Sequence, residues 1–269
     1  MDWALVPLFV ALGLVVGFLA GLLGIGGGMT MVPVLTMVFA AQRFPADHLV
    51  HMAVATSTAT IVFTALSSIR AHHARGAIRW PIVAAIAPGI VLGSLAGPQF
   101  AALLPTAVLA TVFGAFNWFS AWQMVVDRKP APHREMPGVV ATSAVGVGIG
   151  FVSALVGAGG GFLSVPFMTW CNVRIHNAVA TSAAIGLPIA LAGTIGYVVA
   201  GLRQDGMPPL AVGYIYVPAL ACIVVASVLT APLGARTAHS WPVGKLKKAF
   251  AALLFLLGAY MFWKAWSVR

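Results

Sequence analysis

Charged side chains are nearly missing from this chain: 7% of its residues are Asp, Glu, Lys or Arg, whereas 61% are hydrophobic. A soluble domain carries about a quarter charged residues, so this sequence has too few polar side chains to cover a water-soluble protein. No charged residue occurs in four long stretches, 3–42, 80–126, 136–173 and 206–235. Each has room for a membrane-spanning helix of about 20 apolar residues. The sequence therefore predicts an all-α polytopic membrane protein.

Acidic residues are the scarcest charged class, and none lies inside an apolar stretch. The five carboxylates fall in loops or at the terminus: Asp2, Asp47, Asp127, Glu135 and Asp205. A carboxylate proton relay or a carboxylate cation site in the middle of the membrane is thereby excluded. Intramembrane aspartyl and Glu-dependent metalloprotease chemistry also lack their groups. The pattern favours an anionic or neutral substrate and predicts that the protein is not an enzyme.

Signals for a metal, a cofactor or nucleic acid are also missing. Cys171 and Cys222 lie in apolar stretches without a metal-binding spacing, so no metal site is predicted. The segment 24–28 is glycine-rich, but it lacks a preceding strand pattern, a following Lys-Ser/Thr and a downstream acidic residue, so no nucleotide cofactor is predicted. The formal charge of +10 comes from basic residues in short loops. Cytoplasmic retention of Lys and Arg explains them, so the expected surroundings are a lipid bilayer and not nucleic acid.

An internal duplication is present. Gly-Phe-Leu-Ala-Gly-Leu-Leu-Gly-Ile-Gly-Gly-Gly (17–28) aligns with Gly-Phe-Val-Ser-Ala-Leu-Val-Gly-Ala-Gly-Gly-Gly (150–161), and Pro33 aligns with Pro166. Further on, His-Met-Ala-Val-Ala-Thr-Ser (51–57) aligns with His-Asn-Ala-Val-Ala-Thr-Ser (176–182). The most polar stretch, 127–137, separates the copies and is typical of an exposed loop. We expect a first transmembrane repeat at 1–126, a linker at 127–137 and a second repeat at 138–269.

Each repeat contains five apolar segments. They are expected at 5–23, 29–41, 49–69, 80–98 and 105–126, and at 138–156, 162–171, 177–201, 211–235 and 247–266. An odd number of crossings per repeat inverts the second repeat relative to the first. Five crossings place more of the Lys and Arg residues on one side than four do, and membrane proteins keep such residues in the cytoplasm. The sequence therefore favours inverted five-segment repeats.

Each triple glycine interrupts an apolar run and is followed by a segment too short to span about 30 Å of hydrocarbon. We therefore expect broken helices whose glycine turns lie below the membrane surface. The new helix after each turn directs its free N–H groups toward the turn, and two such helix ends facing each other make an anion site. The candidate residues are Gly26, Gly27, Gly28, Thr30, Gly159, Gly160, Gly161 and Ser164. The alternative is that the glycines only permit close helix packing.

The His…Ala-Val-Ala-Thr-Ser element supplies further candidates. Thr56, Ser57, Thr181 and Ser182 carry hydroxyl groups suited to the oxygen atoms of an anion. The imidazoles of His51 and His176 are candidates for proton coupling near neutral pH. The alternative is that the hydroxyls bond to their own helices and that the histidines lie at the membrane interface.

The paired Gly-rich motifs, each followed by Val-Pro and then by Ala-Val-Ala-Thr-Ser, resemble the TauE/SafE sulfite exporter family over essentially the whole chain. The resemblance implies a bacterial inner-membrane transporter for sulfite, organosulfonates or other small organic anions. On the matching positions, it implies that the glycine turns and the Thr-Ser pairs form the substrate site.

Together these observations predict a secondary transporter that moves sulfite or a small, sulfoacetate-like organosulfonate by alternating access. Two alternatives remain: a passive anion channel, and a non-transporting membrane subunit. The sequence carries no signal for the oligomeric state.

Overall fold

The computed structural model describes residues 6–23, 27–126, 135–237 and 243–268, and within them almost every segment is helical. The predicted apolar segments correspond to these helices. Their bounds are α1 Val6–Leu23, α2 Gly28–Ala41, α3 Leu49–His73, α4 Trp80–Ala102, α5 Thr106–Val126, α6 Val139–Leu155, α7 Gly161–Trp170, α8 Ile175–Gly201, α9 Val217–Thr237 and α10 Val243–Ser267. A short 3₁₀ turn, Ala46–His48, precedes α3. The all-α fold class is confirmed.

The segment expected as a helix from 211 onward begins differently. Residues Ala211–Val212 (β1) and Ile215–Tyr216 (β2) form a two-stranded antiparallel hairpin, and α9 starts only at Val217. The hairpin turn contains Gly213 at φ 57°, a left-handed conformation that glycine adopts without strain. Pro218 then occupies the first turn of α9, where its missing N–H costs nothing. The apolar pattern predicted the membrane segment but not this strand-forming start.

Among the described residues, five helical segments are long and apolar enough to cross a membrane: Ala46–His73, Trp80–Ala102, Ile175–Gly201, Val217–Gly234 and Lys248–Ser267. Large apolar side chains cover the outside of several of them. Leu92, Leu229 and Leu256 are each about two-thirds exposed, which in water would be an aggregation hazard and in a bilayer is contact with lipid. The helices therefore form a multi-pass membrane protein.

Helices of one repeat pack against helices of the other repeat. Helix α1 packs in parallel along α9, because Gly13 contacts Ile223 and Gly17 contacts Ser227. The equivalent pair, α6 with α4, is also parallel. Its contacts join Gly89 to Ser143, Gly93 to Val147 and Gly150 to Ile90. The first helix of each repeat thus packs against the fourth helix of the other repeat.

The third helices of the two repeats run antiparallel to each other, and so do the fifth helices. In α3 and α8, Thr58 lies beside Gly193, and the later residue Ile61 packs with the earlier residue Ala190. In α5 and α10, Gly114 lies beside Phe262, whereas the indole of Trp118 donates to the carbonyl of Phe255 at 3.0 Å. The α3–α8 pair forms the centre of the protein, and all residues from Leu49 to Ile61 are buried.

Close glycine contacts hold these parallel pairs together, so added volume at them should be costly. A Cβ on Gly150 would lie 2.4 Å from the carbonyl oxygen of Ile90, whereas a Cβ on Gly148 meets nothing within 4 Å. We expect Gly150→Val to destabilise the protein by about 1–3 kcal/mol through overpacking. Gly148→Val should change stability by less than about 0.5 kcal/mol. Thermal unfolding of both purified variants in detergent measures the difference; equal melting temperatures would contradict the packing argument.

Candidate functional site

The described end of the first glycine turn, 27–28, meets the second turn, 157–161, inside the protein. A Cβ on Gly28 would lie 2.0 Å from the carbonyl oxygen of Gly157, so the two backbones are in direct contact and only glycine fits. Gly27 and Gly160 occupy equivalent positions immediately before α2 and α7, and both are left-handed, at φ 49° and 77°. Gly26 lies outside the described residues. The start of α2 is therefore held against the turn that leads into α7.

Each turn supplies one carbonyl that accepts two N–H groups from the first turn of the next helix. The carbonyl of Gly27 accepts from the N–H groups of Thr30 and Met31 at 3.2 and 3.1 Å. The carbonyl of Gly160 accepts from Leu163 and Ser164 at 3.1 and 2.8 Å. The first two N–H groups of each helix, at positions 28 and 29 in α2 and 161 and 162 in α7, have no partner within their own helix. They are directed toward the turns. A helix start of this kind attracts negative charge.

The predicted hydroxyls at the two helix starts turn back to the same carbonyls. The Thr30 hydroxyl donates to Gly27 at 2.8 Å, and the Ser164 hydroxyl lies 2.9 Å from the carbonyl oxygen of Gly160. Ser164 is also 2.9 Å from the hydroxyl of Ser182. The structure therefore brings together the Ser of the second Ala-Thr-Ser element and the second helix start.

Ser57 joins the halves at the same place. Its hydroxyl is directed at the carbonyl oxygen of Gly157 at the long distance of 3.4 Å, and it also lies beside Gly28. Gly159 and Gly161 are buried in the second turn, and the carbonyl of Gly159 lies close to Gly186 of α8. Ser57 therefore lies where the glycine turns meet, and Ser182 lies beside Ser164 in the first turn of α7.

The threonines of the same two elements, Thr56 and Thr181, bond to the opposite repeat. Thr56 accepts a hydrogen bond from the backbone N–H of Tyr216 at 3.1 Å, and Thr181 accepts one from the backbone N–H of Arg79 at 3.0 Å. Tyr216 and Arg79 are each the residue before the fourth helix of a repeat, so the two bonds are equivalent. Each connects the third helix of one repeat to the fourth helix of the other. The oxygen atoms of both threonines are thus engaged in holding the fold.

Two histidines that are equivalent in sequence differ in surroundings. His51 is 2% exposed, and its Nε2 lies 2.9 Å from the carbonyl oxygen of Ala101. His176 is exposed. The predicted pair of proton-coupling residues is therefore not a symmetric pair.

Sequence reasoning missed three buried polar side chains, of which Asn117 and Ser153 lie near the helix starts. The amide nitrogen of Asn117 donates to the carbonyl of Met29 at 3.3 Å. Pro33 has no N–H for that carbonyl four residues back, so the proline in α2 was the signal that an outside donor was needed. Within the described residues, the oxygen of Asn117 and the hydroxyls of Ser120 and Ser153 have no hydrogen-bond partner.

Ser153 lies beside the second glycine turn. A Cβ on Gly160 would be 3.5 Å from the Ser153 hydroxyl. In the aligned motifs Ala20 occupies the equivalent position of the first repeat, so the hydroxyl occurs in one repeat only. An unpaired buried hydroxyl is costly in a membrane interior, and Ser153 therefore joins the candidate site.

Negative side chains stay away from the glycine turns. The carboxylates in the described residues, Asp47, Glu135 and Asp205, are all exposed. In the part of the chain that the structure describes, no cluster of three His, Cys, Asp or Glu residues could hold a metal ion. The site consists of backbone N–H groups, hydroxyls and one amide, which suits a small oxyanion.

The threonine bonds between repeats are open to a matched test. Thr56→Val removes the acceptor of the buried Tyr216 N–H and should cost about 1–3 kcal/mol of stability. Thr58→Val is the control, because Thr58 is equally buried but donates only to Val54 of its own helix. We expect a clearly lower melting temperature for Thr56→Val than for Thr58→Val. Equal melting temperatures would show that the bond between repeats contributes no stability.

Comparison with known proteins adds independent information. The profile of the family described as "Sulfite exporter TauE/SafE" matches residues 9–261. A "Probable membrane transporter protein" of Haemophilus influenzae is 36% identical over 94% of this chain and 96% of its own length. A protein of Methanocaldococcus jannaschii with the same description is 27% identical over 96% and 95%. The probable membrane transporter protein YdhB of Bacillus subtilis is 26% identical over 87% and 90%. No solved structure matches the chain.

The sequence motifs, the multi-pass helical fold and the match over nearly the whole chain agree, and the protein belongs to the sulfite exporter TauE/SafE family.

Proposed function

We propose that the protein is a secondary transporter that moves sulfite or a small organosulfonate across the membrane by alternating access. The observation that carries the proposal is the contact between Gly28 and the carbonyl of Gly157, which holds the start of α2 against the turn that leads into α7. The positive ends of two helix dipoles there stabilise an anion without any charged side chain. The family description names sulfite export, and the relatives described above are named as probable membrane transporters.

The substrate site consists of the backbone of Gly26, Gly27, Gly28, Gly159, Gly160 and Gly161 together with the hydroxyls around them. Ser57, Ser182 and Ser164 contact the turns or each other. Ser153 contributes a hydroxyl that has no partner among the described residues. Thr30 bonds to the carbonyl of Gly27, and Thr56 and Thr181, each adjacent in sequence to a site serine, bond to the opposite repeat. Hydroxyl and amide donors recognise the oxygen atoms of a sulfite or sulfonate group, and charge-assisted bonds to such oxygens are the strong ones.

Inverted repeats give the anion two access routes to this site, one from each side of the membrane. If an axis in the membrane plane relates the repeats, equivalent central helices must be antiparallel. The pairs α3–α8 and α5–α10 have that direction, which supports five crossings in each repeat. The two turns then enter from opposite faces and meet near the middle of the bilayer. Rocking of one helix set against the other exposes the anion first to one side and then to the other.

Proton coupling is assigned to His51. It is buried and hydrogen-bonded, whereas His176 at the equivalent position is exposed. A proton on a buried imidazole can alter contacts inside the protein, whereas a proton on an exposed imidazole is exchanged with solvent without such a change.

Uptake into proteoliposomes tests the function. We expect saturable uptake of sulfite or sulfoacetate, reduced about tenfold or more by Ser57→Ala and by Ser182→Ala, because each removes a hydroxyl worth about 1.5–3 kcal/mol to a charged ligand. Thr169→Val is the control, since that hydroxyl bonds only within α7. Flux that rises linearly with concentration would indicate a channel. Absence of any anion flux in folded protein would favour a non-transporting subunit.

Labelling of single cysteines tests the inversion separately. Cys171 and Cys222 are replaced first, and a cysteine is then placed at Ala74, after α3, or at Leu202, after α8; both positions are exposed. With inverted repeats, a membrane-impermeant maleimide should label Leu202→Cys in intact cells and Ala74→Cys only after permeabilisation. Labelling of both positions from the same side would contradict the inversion.

A further inference from the structure

A cavity of about 310 Å³ lies at the start of α3, away from the glycine turns. Its polar lining comes from Asp47, His48, His51, Thr106 and Tyr214. These residues belong to three different parts of the chain: the beginning of α3, the turn between α4 and α5, and the β hairpin. The cavity gives water and protons a path to the ring of His51, although that side chain is 2% exposed.

The groups around the His51 ring are hydrogen-bond acceptors. Nε2 faces the carbonyl oxygen of Ala101 at 2.9 Å, and Nδ1 faces the hydroxyl oxygen of Thr106 at 3.4 Å. The Thr106 hydroxyl in turn donates to the backbone carbonyl of Asp47. A hydroxyl has one proton to donate. All three bonds can therefore exist together only when both ring nitrogens carry hydrogen, which is the imidazolium form.

A neutral ring leaves this network one bond short. With Nε2–H on Ala101, Nδ1 becomes an acceptor, and the Thr106 hydroxyl must choose between Nδ1 and the carbonyl of Asp47. One of the two bonds that Thr106 makes at the start of α3, to His51 or to Asp47, is then lost, whereas the bond from Nε2 to Ala101 remains. The proton thus decides how firmly α3 and the α4–α5 turn are connected.

The β hairpin contacts the same ring. Tyr214 stacks on His51 with ring centres 5.3 Å apart and planes 22° apart, a geometry in which a charged imidazolium is attracted to the aromatic face. Burial raises the pKa of Tyr214, so its phenol stays neutral. The other titratable groups are Asp47 and His48 of the 3₁₀ turn, with the His48 ring 6.3 Å from the His51 ring, and Tyr197, which lies edge-on to Tyr214.

The hairpin is attached to the core at two further points. Two residues after Tyr214, the N–H of Tyr216 donates to Thr56 on α3. On the other side, a Cβ on Gly201 of α8 would lie 2.2 Å from the Tyr214 nitrogen, so the turn is closely seated there. The first repeat lacks the equivalent contact, because Ala77 precedes α4 where Tyr214 precedes α9, and His176 is exposed. The arrangement occurs on one side of the protein only.

We propose that His51 is a proton-binding site that, when occupied through the cavity, locks the hairpin 211–216 and the α4–α5 turn onto the start of α3. We call this set of contacts, between His51, the hairpin 211–216 and the α4–α5 turn, the latch. Loss of the proton weakens the latch and loosens one end of the helix bundle. The latch deepens the proposed function and rests on it for the role in transport, where it makes opening on one side depend on protonation. The latch itself is measurable without any substrate.

Backbone hydrogen exchange of the full chain in lipid nanodiscs tests the latch. Protection of peptides covering 101–107 and 211–216 is measured between about pH 5.5 and 8, with rates corrected for the chemical pH dependence of exchange. In the wild type, we expect protection of both segments to fall about three- to tenfold as the pH rises. His51→Gln should abolish that pH dependence. His48→Gln and His176→Gln should retain it.

Thr106→Val provides a second variant that keeps the His51 ring in place. It removes the acceptor at Nδ1, so the midpoint of the protection change should move to lower pH by about 0.5–1 unit. Protection that does not vary with pH in the wild type would overturn the latch. Loss of the pH dependence in His48→Gln, with His51→Gln unchanged, would also overturn it. Because no substrate is present, a negative uptake experiment and a negative exchange experiment remain distinct results.

Discussion

Irregular backbone inside a membrane has to find its hydrogen-bond partners within the protein, because lipid offers none. The two glycine turns meet this requirement at one place. The carbonyls of Gly27 and Gly160 each accept two N–H groups from the first turns of α2 and α7, and Ser57 approaches the carbonyl of Gly157 from α3. Two features of the surrounding helices are connected with this contact. The helices after the turns are short, and the central helices must pass close enough to bring their serines to the turns.

The exchange of helices between the repeats makes the turns part of one core. Helix α1 packs on α9 and α6 packs on α4, in both cases through glycines that allow backbone contact. Between these pairs, Thr56 and Thr181 each accept one N–H from the other repeat. Neither repeat could bury these groups alone. The duplication therefore produced a single folding unit in which each half completes the hydrogen bonds of the other.

Within this symmetric frame, the chemically active groups are asymmetric. Ser153 and Ser164 lie beside the second turn, where the first repeat has Ala20 and Met31. His51 is enclosed by the hairpin and the α4–α5 turn, whereas the equivalent His176 is exposed. In the proposed transporter, two equivalent halves supply two access routes to one site, and different side chains at equivalent positions make the routes unequal.

Much of this architecture could be predicted from residue types alone. The missing charges predicted the membrane, the repeated glycines predicted broken helices, and the alignment of 17–28 with 150–161 predicted that the turns are equivalent. The hydroxyls of Thr56, Ser57, Thr181 and Ser182 were predicted near the anion because hydroxyl groups suit its oxygen atoms. These features are local or periodic, and each depends on what a residue can do in its own segment.

Other features were decided only by the tertiary structure. The hydroxyls of Thr56 and Thr181 bind N–H groups of the opposite repeat, Asn117 supplies the donor that Pro33 leaves missing, and a hairpin covers His51. The sequence determined that a membrane protein with two glycine turns would form. Its composition shows which segments must leave water, and its repeated glycines show where helices break. Only packing decided which distant donor meets which acceptor, because that pairing depends on how helices far apart in the chain approach each other.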